Sequence, residues 1–253
     1  MDLGMRGRCC LIVGASRGVG SELAGLLAAE GALLVLLARD GDQLARVAAT
    51  LPCPAADVLT IAADAAKPET MPEAVAAAIG RFGALHGLAV LAGKAGTRAT
   101  FLETDDLLWE HHFHSTLMTS VRACRSAIPE LVKQPSSAIV LTAAYSVRAP
   151  KPSLVAYTAM KSAVASVAKN IAKAHGADGL RCNAIAPGII DRTADAGATG
   201  SRYEQVRREH GMQVALGRSG RPAEFAEAIA WLLSSRAGYV NGALLNVDGG
   251  TDF

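Results

Sequence analysis

The alternation of short apolar runs with helical patterns most strongly constrains how this chain can fold. The first apolar run ends at Val13, and a glycine turn and leucines at helical spacing from Leu23 onward follow it. Six further apolar runs alternate with helical stretches, and neither a linker nor a break in composition interrupts them. Because parallel strands are joined through helical crossovers, this order predicts one α/β domain over residues 1–253 with a doubly wound, seven-stranded parallel sheet.

The same pattern gives approximate bounds for the elements. The predicted strands are residues 10–13, 32–38, 59–63, 88–91, 138–142, 180–185 and 243–247. After the helix that follows the first turn, the predicted helices are residues 42–51, 71–82, 104–133, 157–173 and 223–234. The polar, glycine-rich residues 191–201 are predicted to form a mobile loop. In such a sheet, ligands bind at the carboxyl ends of the strands, where the strand order reverses.

Composition excludes several classes of protein. Hydrophobic residues make up 51% of the chain, but no apolar run reaches the length of about 18 residues that suggests a membrane span. A net charge of +2 without a long basic run argues against a nucleic-acid partner. The first eight residues contain no signal-peptide core, and the five scattered cysteines are expected to be free thiols. We therefore expect a cytoplasmic protein that acts on a small molecule.

Three histidines on the long predicted helix form the only candidate for a metal site. His111 and His114 share a helix face, with His112 beside them, but no acidic or cysteine partner has ligand spacing. We predict no metal site and expect these histidines to be solvated or to lie at an interface.

The first glycine turn is a candidate seat for a pyrophosphate. Its spacing is G-x-x-x-G-x-G, in which Gly14 allows a sharp turn and the later glycines keep Cβ atoms away from the helix N-terminus. Free N–H groups and the helix dipole at that end favour an anion. The candidate cofactor-binding residues of this turn are Gly14, Ser16, Arg17, Gly18, Val19 and Gly20. The alternative is an ordinary tight turn between a strand and a helix.

The end of the second predicted strand bears on the choice of nucleotide. A residue about twenty positions past the glycine turn meets the adenosine ribose in such sheets, and an acid there favours NAD. Here Ala38 is followed by Arg39, and Arg17 lies in the glycine turn. Two guanidinium groups suit the 2′-phosphate of NADP, so NADP(H) is favoured. The alternative is that both arginines are solvated and Asp40 binds the ribose of NAD(H).

A phenol and an ammonium group lie four residues apart near the start of a predicted helix. Tyr157 and Lys161 therefore share one face. A nearby lysine charge is expected to lower the pKa of the phenol, which would make Tyr157 a general acid towards a ketone oxygen. The alternative is a solvated helix face, which this common spacing often means.

Taken together, these motifs resemble the short-chain dehydrogenase/reductase family over nearly the whole chain. Within that family, the chain is most similar to 3-oxoacyl-acyl-carrier-protein reductases and to their relatives that act on small ketones. The motifs that carry the resemblance are Gly14, Gly18 and Gly20, Asp64, Ala92 with Gly93, Tyr157 with Lys161, the run from Arg181 to Gly188, and the run from Asn246 to Gly250.

The resemblance implies a Rossmann fold, a homotetramer or homodimer, and hydride transfer with a nicotinamide cofactor. It implies that Asp64 contacts adenine and that the backbone at Ala92 and Gly93 packs on the ribose. It further implies that Lys161 bonds the nicotinamide ribose next to Tyr157. The residues implied to hold the carboxamide are Pro187, Gly188 and Ile190.

The chain departs from the family at two of the four residues of the usual active site. The family serine lies thirteen residues before the tyrosine, where this chain has Ala144. The family asparagine aligns with Thr116, and two further asparagines before Ala-Gly are replaced by Val90 and Leu91. Losing a hydroxyl that stabilises charge on the substrate oxygen typically reduces the rate by about 10²–10³-fold.

Two hydroxyl groups are candidates to replace the missing serine. Ser146 and Thr142 each lie two residues from Ala144, and that spacing keeps side chains on one face of a strand. The catalytic candidates are therefore Tyr157, Lys161 and Ser146, with Thr142 as the second choice of hydroxyl.

Two functions remain open at this point. The first is an NADP(H)-dependent oxidoreductase that interconverts a carbonyl and a secondary alcohol. The second is a cofactor-binding homologue with little or no redox activity, which Ala144 and Thr116 motivate.

Overall fold

All seven predicted strands are present and form one parallel sheet. The computed structural model describes residues 2–93, 95–191, 207–208 and 213–251. The strands are β1 (Cys9–Val13), β2 (Leu33–Ala38), β3 (Val58–Ala62), β4 (Gly87–Val90), β5 (Ala138–Thr142), β6 (Arg181–Pro187) and β7 (Leu244–Val247). Their order in the sheet is β3-β2-β1-β4-β5-β6-β7. The predicted fold class and strand number are confirmed.

The helices cover both faces of the sheet. They are α1 (Val19–Ala29), α2 (Gly41–Thr50), α3 (Thr70–Phe82), α4 (Asp106–His112), α5 (Thr119–Leu131), α6 (Val155–His175) and α7 (Pro222–Leu233). One face of the sheet packs against α1, α2 and α7, and the other against α3, α5 and α6. No helix in the described part of the chain is long and apolar enough to cross a membrane.

The central strands form the core because their side chains are buried on both faces. In β1, Leu11 packs with one helical layer and Ile12 with the other, and neither is exposed to solvent. Alternate side chains of a strand point to opposite faces, so an uninterrupted apolar run is what a sheet covered on both sides requires. Burying each such side chain contributes roughly 1.5–3 kcal/mol.

The strand order reverses between β1 and β4. From β1 the chain builds outward through β2 and β3, then returns to place β4 on the other side of β1. The segments that leave β1 and β4 therefore diverge at the carboxyl edge, and a crevice for a ligand opens there. At this edge, a Cβ atom on Gly14 would lie 3.5 Å from the backbone of Leu91.

The long helix predicted over residues 104–133 is interrupted. It begins after Asp105, whose carboxylate accepts a hydrogen bond from the N–H of Leu108 at 2.9 Å and so caps α4. A π-helical segment, Phe113–Met118, then separates α4 from α5. Such segments often occur at functional sites. Pro129 lies inside α5 without ending it.

The predicted mobile loop, residues 191–201, lies outside the described residues apart from Asp191.

Candidate active site

The first glycine turn forms an open cradle in front of α1. Gly14 and Gly18 adopt φ values of 96° and 56°, which residues with a Cβ rarely adopt. A Cβ atom on Gly20 would clash with the carbonyl oxygen of Gly14, whereas one on Gly18 would meet no atom within 4 Å. No side chain caps the N-terminus of α1. The free N–H groups and the space in front of them fit a phosphate group.

The residues that the sequence predicts to lie near the adenosine ribose differ in what they already bind. Arg17 and Arg39 are both exposed. Neither makes an ion pair or a hydrogen bond within the described part of the chain. Asp40 instead caps α2, because its carboxylate accepts a hydrogen bond from the N–H of Gln43 at 3.0 Å. The carboxylate of Asp40, which could bind a ribose, therefore already caps α2, whereas the guanidinium groups of Arg17 and Arg39 have no partner among the described residues.

Lys161 is buried at the carboxyl ends of β4 and β5. Its Nζ donates to the carbonyl oxygen of Thr142 at 2.6 Å and to that of Ala92 at 3.3 Å, and the residue is 1% exposed. A Cβ atom on Gly93 would lie 3.2 Å from both Lys161 Nζ and Thr116 Oγ1. The sheet edge, the π-helical segment and α6 thus bring these polar atoms together around one glycine.

The ionisation predicted for Tyr157 is wrong in this structure. Burial raises the pKa of Tyr157 to about 12, and the neighbouring Tyr145 phenol also raises it. Lys161 Nζ lies 5.7 Å from the centroid of the Tyr157 ring, but it donates its hydrogen bonds to backbone carbonyls. Burial also lowers the pKa of Lys161 to about 7, because the charged ammonium group is poorly solvated there. Desolvation therefore outweighs the attraction between phenolate and ammonium.

The structure also contradicts the role predicted for Ser146. The chain leaves the strand direction after Ala144 and forms a 3₁₀ turn over Tyr145–Val147. Ser146 is 0% exposed, and its Oγ accepts a hydrogen bond from Thr158 Oγ1 at 2.9 Å. Its hydroxyl is therefore part of the core and does not face an open site. Ala144 itself is 3% exposed.

Thr142, the second candidate, remains near the site. Its Oγ1 is buried without a hydrogen-bond partner among the described residues, as is Oγ1 of Thr116. The backbone carbonyl of Thr142 is the group that holds Lys161.

The remaining predicted cofactor-binding residues lie along the same carboxyl edge. Asp64 follows β3, and its carboxylate accepts a hydrogen bond from the N–H of Ala66 at 3.0 Å. Pro187 ends β6, and a Cβ atom on the next residue, Gly188, would lie 2.8 Å from the backbone of Asp248. Ile190 pairs with Gly220 in an isolated bridge. The fold therefore brings these residues to the carboxyl edge of the sheet, and their contacts with a cofactor stay a prediction.

His112 lies beside Tyr157, where the sequence did not predict it. His112 was expected to be solvated or at an interface, but it is 1% exposed and its ring lies edge-on to that of Tyr157, with the centroids 5.8 Å apart. Its Nδ1 is buried without a partner among the described residues. Its neighbours His111 and His114 are exposed.

Comparisons with known proteins found a family model and relatives that span nearly the whole chain. A family model described as enoyl-(acyl carrier protein) reductase matches residues 14–252. A cis-4-hydroxycyclohexanecarboxylate dehydrogenase from Sinomonas cyclohexanicum is 32% identical over 246 residues, which cover 96% of each chain.

Two solved structures have the same fold. L-sorbose reductase from Gluconobacter frateurii, complexed with NADPH and L-sorbose, is 30% identical with a TM-score of 0.88 and covers 99% of this chain and 98% of its own. An NADPH-bound short-chain oxidoreductase from Pseudomonas aeruginosa, described as containing an atypical catalytic centre, is 26% identical with a TM-score of 0.88 and covers 96% of each chain.

The chain belongs to the short-chain dehydrogenase/reductase family, as its motifs predicted. Its relatives are named dehydrogenases and reductases of alcohols and carbonyl compounds, and it is an oxidoreductase of that general kind.

Proposed function

We propose that the protein interconverts a carbonyl compound and a secondary alcohol with NADP(H). The observation that carries this proposal is the convergence of the glycine cradle, Lys161 and Tyr157 on one carboxyl edge of the sheet. When bound there, the nicotinamide supplies a hydride to the carbonyl carbon or accepts one from the alcohol. Family membership and the NADPH-bound neighbours support a nicotinamide cofactor.

Residues from every part of this edge would hold the nucleotide. The N-terminus of α1 would receive the pyrophosphate, Asp64 would meet the adenine, and Ala92 and Gly93 would pack against the ribose. Tyr157 and Lys161 would border the nicotinamide end. The other residues of the proposed cofactor site are Gly14, Ser16, Arg17, Gly18, Val19, Gly20, Arg39, Pro187, Gly188 and Ile190.

The raised pKa of Tyr157 gives this residue a definite role. With a pKa of about 12, the phenol keeps its proton at neutral pH and can donate it to an oxygen that gains charge. The ammonium group of Lys161 is held against the sheet by the Thr142 carbonyl, where its charge favours the phenolate left after that transfer. Tyr157 is the proposed proton donor, and Lys161 its electrostatic partner.

The preference for NADP over NAD rests on two arginines and one aspartate. Arg17 and Arg39 are exposed near the ribose position, and an arginine can grip a phosphate in bidentate fashion. Asp40, the residue that would favour NAD, caps α2.

A second candidate is a cofactor-binding homologue with little redox activity. Ala144 leaves the usual serine position without a hydroxyl, and Ser146 is enclosed in the core. We favour the active enzyme because a chain freed from hydride chemistry would have no reason to keep Tyr157 beside Lys161.

Nucleotide titration and one substitution separate the two candidates. We expect NADPH to bind in the micromolar range, with NADH much weaker, as followed by nicotinamide fluorescence. The wild-type protein and Ala144→Ser are then compared on a panel of small ketones. A substantial native rate with little gain in the variant supports the active enzyme, whereas a large gain identifies a disabled reductase. Failure of both nucleotides to bind would overturn the oxidoreductase proposal.

We also propose that copies of the chain associate and work in a reducing compartment such as the cytoplasm. Phe101, Leu102 and Leu107 are 68%, 95% and 72% exposed around the start of α4, an apolar surface that a second copy could cover. All five cysteines are free thiols. Sedimentation velocity would give the oligomeric state, and a monomer at micromolar concentration would refute association.

A further inference from the structure

His112 lies in a crevice that reaches the proposed proton donor. The segment after β4, helix α4 and the start of α6 form this crevice, and Thr97, Leu108, His112 and Tyr157 line it. Its volume of about 10 Å³ admits one water-sized group, such as a hydroxyl. The segment after β4 is tied to the segment before α6 by the hydrogen bond from the N–H of Ala99 to the carbonyl of Ser153, at 3.1 Å. The rings of His112 and Tyr157 both line the crevice, with their centroids 5.8 Å apart.

The imidazole of His112 brings a buried nitrogen without a partner among the described residues to this crevice. Thr104 Oγ1 donates to the carbonyl of Thr100 at 2.7 Å, and Ser153 Oγ accepts from Arg98 at 3.3 Å, so these neighbouring hydroxyls are engaged. Nδ1 of His112 is buried without a partner among the described residues. Leaving a buried polar atom unpaired is unfavourable, and native proteins rarely do so without a functional reason.

The charge state of this imidazole suits a neutral ligand. Burial lowers the pKa of His112, and the neighbouring His111 lowers it further. A neutral imidazole has one nitrogen that donates and one that accepts, so it can pair with a hydroxyl group in either sense. Because a neutral imidazole carries no positive charge, it would not form an ion pair with an anionic substituent.

We propose that His112 binds an oxygen-bearing substituent beside the reacting carbonyl, so that the substrate is a hydroxylated ketone or, in the other direction, a diol or polyol. The contact between the His112 and Tyr157 rings allows one small molecule to meet both groups. The hydrogen bond between His112 and the substituent would also hold the substrate carbonyl in place, which Ala144 cannot do because it has no hydroxyl. The proposal rests on the reductase function proposed above.

Two ketones that differ by one hydroxyl group test this inference through the ratio of their kcat/KM values. We compare kcat/KM for 3-hydroxy-2-butanone and for 2-butanone in the wild-type protein, in His112→Leu and in His114→Leu. His114 is the control because it is exposed on the same stretch of helix. We expect the wild-type protein and the control to prefer the hydroxyketone by about ten- to a hundredfold. In His112→Leu the preference falls towards one.

Two results would overturn the inference while leaving the proposed function intact. One is a wild-type protein that turns over both ketones without preference. The other is a preference that persists in His112→Leu. A general loss of folding lowers both rates together, so it leaves the ratio unchanged and cannot imitate the expected result.

A binding readout keeps the inference testable if the proposed function fails. The imidazole ¹⁵N resonances of His112, assigned by their loss in His112→Leu, are followed in NADP⁺-saturated protein and in nucleotide-free protein during titration with 3-hydroxy-2-butanone. We expect them to shift with the hydroxyketone and to change little with 2-butanone. Absence of turnover by any variant refutes the reductase, whereas unshifted resonances refute the role of His112.

Discussion

Replacing the buried lysine of the site should change how the stability of the protein depends on pH. Burial lowers the pKa of Lys161 from 10.5 to about 7, so between these values the unfolded chain binds more protons than the folded one. The free energy of unfolding of the wild-type protein therefore rises with pH across this window. Lys161→Met removes that dependence. The variant should be most stable relative to wild type below pH 7, and its advantage should disappear towards pH 10.5.

The size of the effect follows from the pKa. One pKa unit corresponds to about 1.4 kcal/mol, so the full pKa shift lowers the free energy of unfolding by about 5 kcal/mol at low pH. Between pH 6 and pH 9, the free energy of unfolding of the wild-type protein should rise by about 3 kcal/mol. The lost hydrogen bonds to the carbonyls of Thr142 and Ala92 lower the stability of the variant at every pH, so only the pH-dependent difference measures the charge.

Urea unfolding followed by circular dichroism at pH 6, 7, 8 and 9 would measure this difference in nucleotide-free protein. Lys169→Met is the matched control, since Lys169 is exposed on the same helix, α6. Its unfolding free energy should follow that of the wild type with pH. Curves for wild type and Lys161→Met that stay parallel from pH 6 to pH 9 would refute the reasoning.

Three further substitutions test other parts of the account. Gly20→Ala places a Cβ atom against the carbonyl oxygen of Gly14 and should abolish NADPH binding in a fluorescence titration, whereas retained affinity would contradict the cradle. Arg39→Asp should weaken NADPH binding by about 10–100-fold with little effect on NADH; equal losses for both would contradict a role in binding the 2′-phosphate. Ser146→Ala leaves Thr158 Oγ1 unpaired in the core and should lower the free energy of unfolding by about 1–3 kcal/mol. Its kcat per folded molecule should stay near wild type, and a loss of a hundredfold would restore Ser146 to the active site.

Much of the fold was predictable because local patterns and tertiary structure agree. The strands are uninterrupted apolar runs, and the sheet buries them on both faces. The predicted strand bounds differ from the observed ones by no more than two residues. Gly14 and Gly20 were also recognisable, since the turn requires them for backbone conformation and close approach.

The details of the site depend on tertiary contacts that spacing does not encode. The rule that residues two apart share a face failed for Ser146 because the strand ends at Thr142 and a 3₁₀ turn follows. Helical spacing correctly placed Tyr157 near Lys161, but the carbonyl of Thr142, far away in sequence, decides where the ammonium group points. His112 is buried because α6 packs over α4, and the sequence of α4 alone does not show that contact.

The most direct test of the account is to follow the hydride itself. The protein is incubated with a small hydroxyketone and NADPH deuterated at both C4 positions, and the alcohol is analysed by mass spectrometry. We expect one deuterium on the carbinol carbon with the wild-type protein, and a rate of alcohol formation lower by several orders of magnitude with Tyr157→Phe. NADPH that binds but yields no deuterated alcohol, across a panel of ketones, would contradict the central claim that this site transfers hydride.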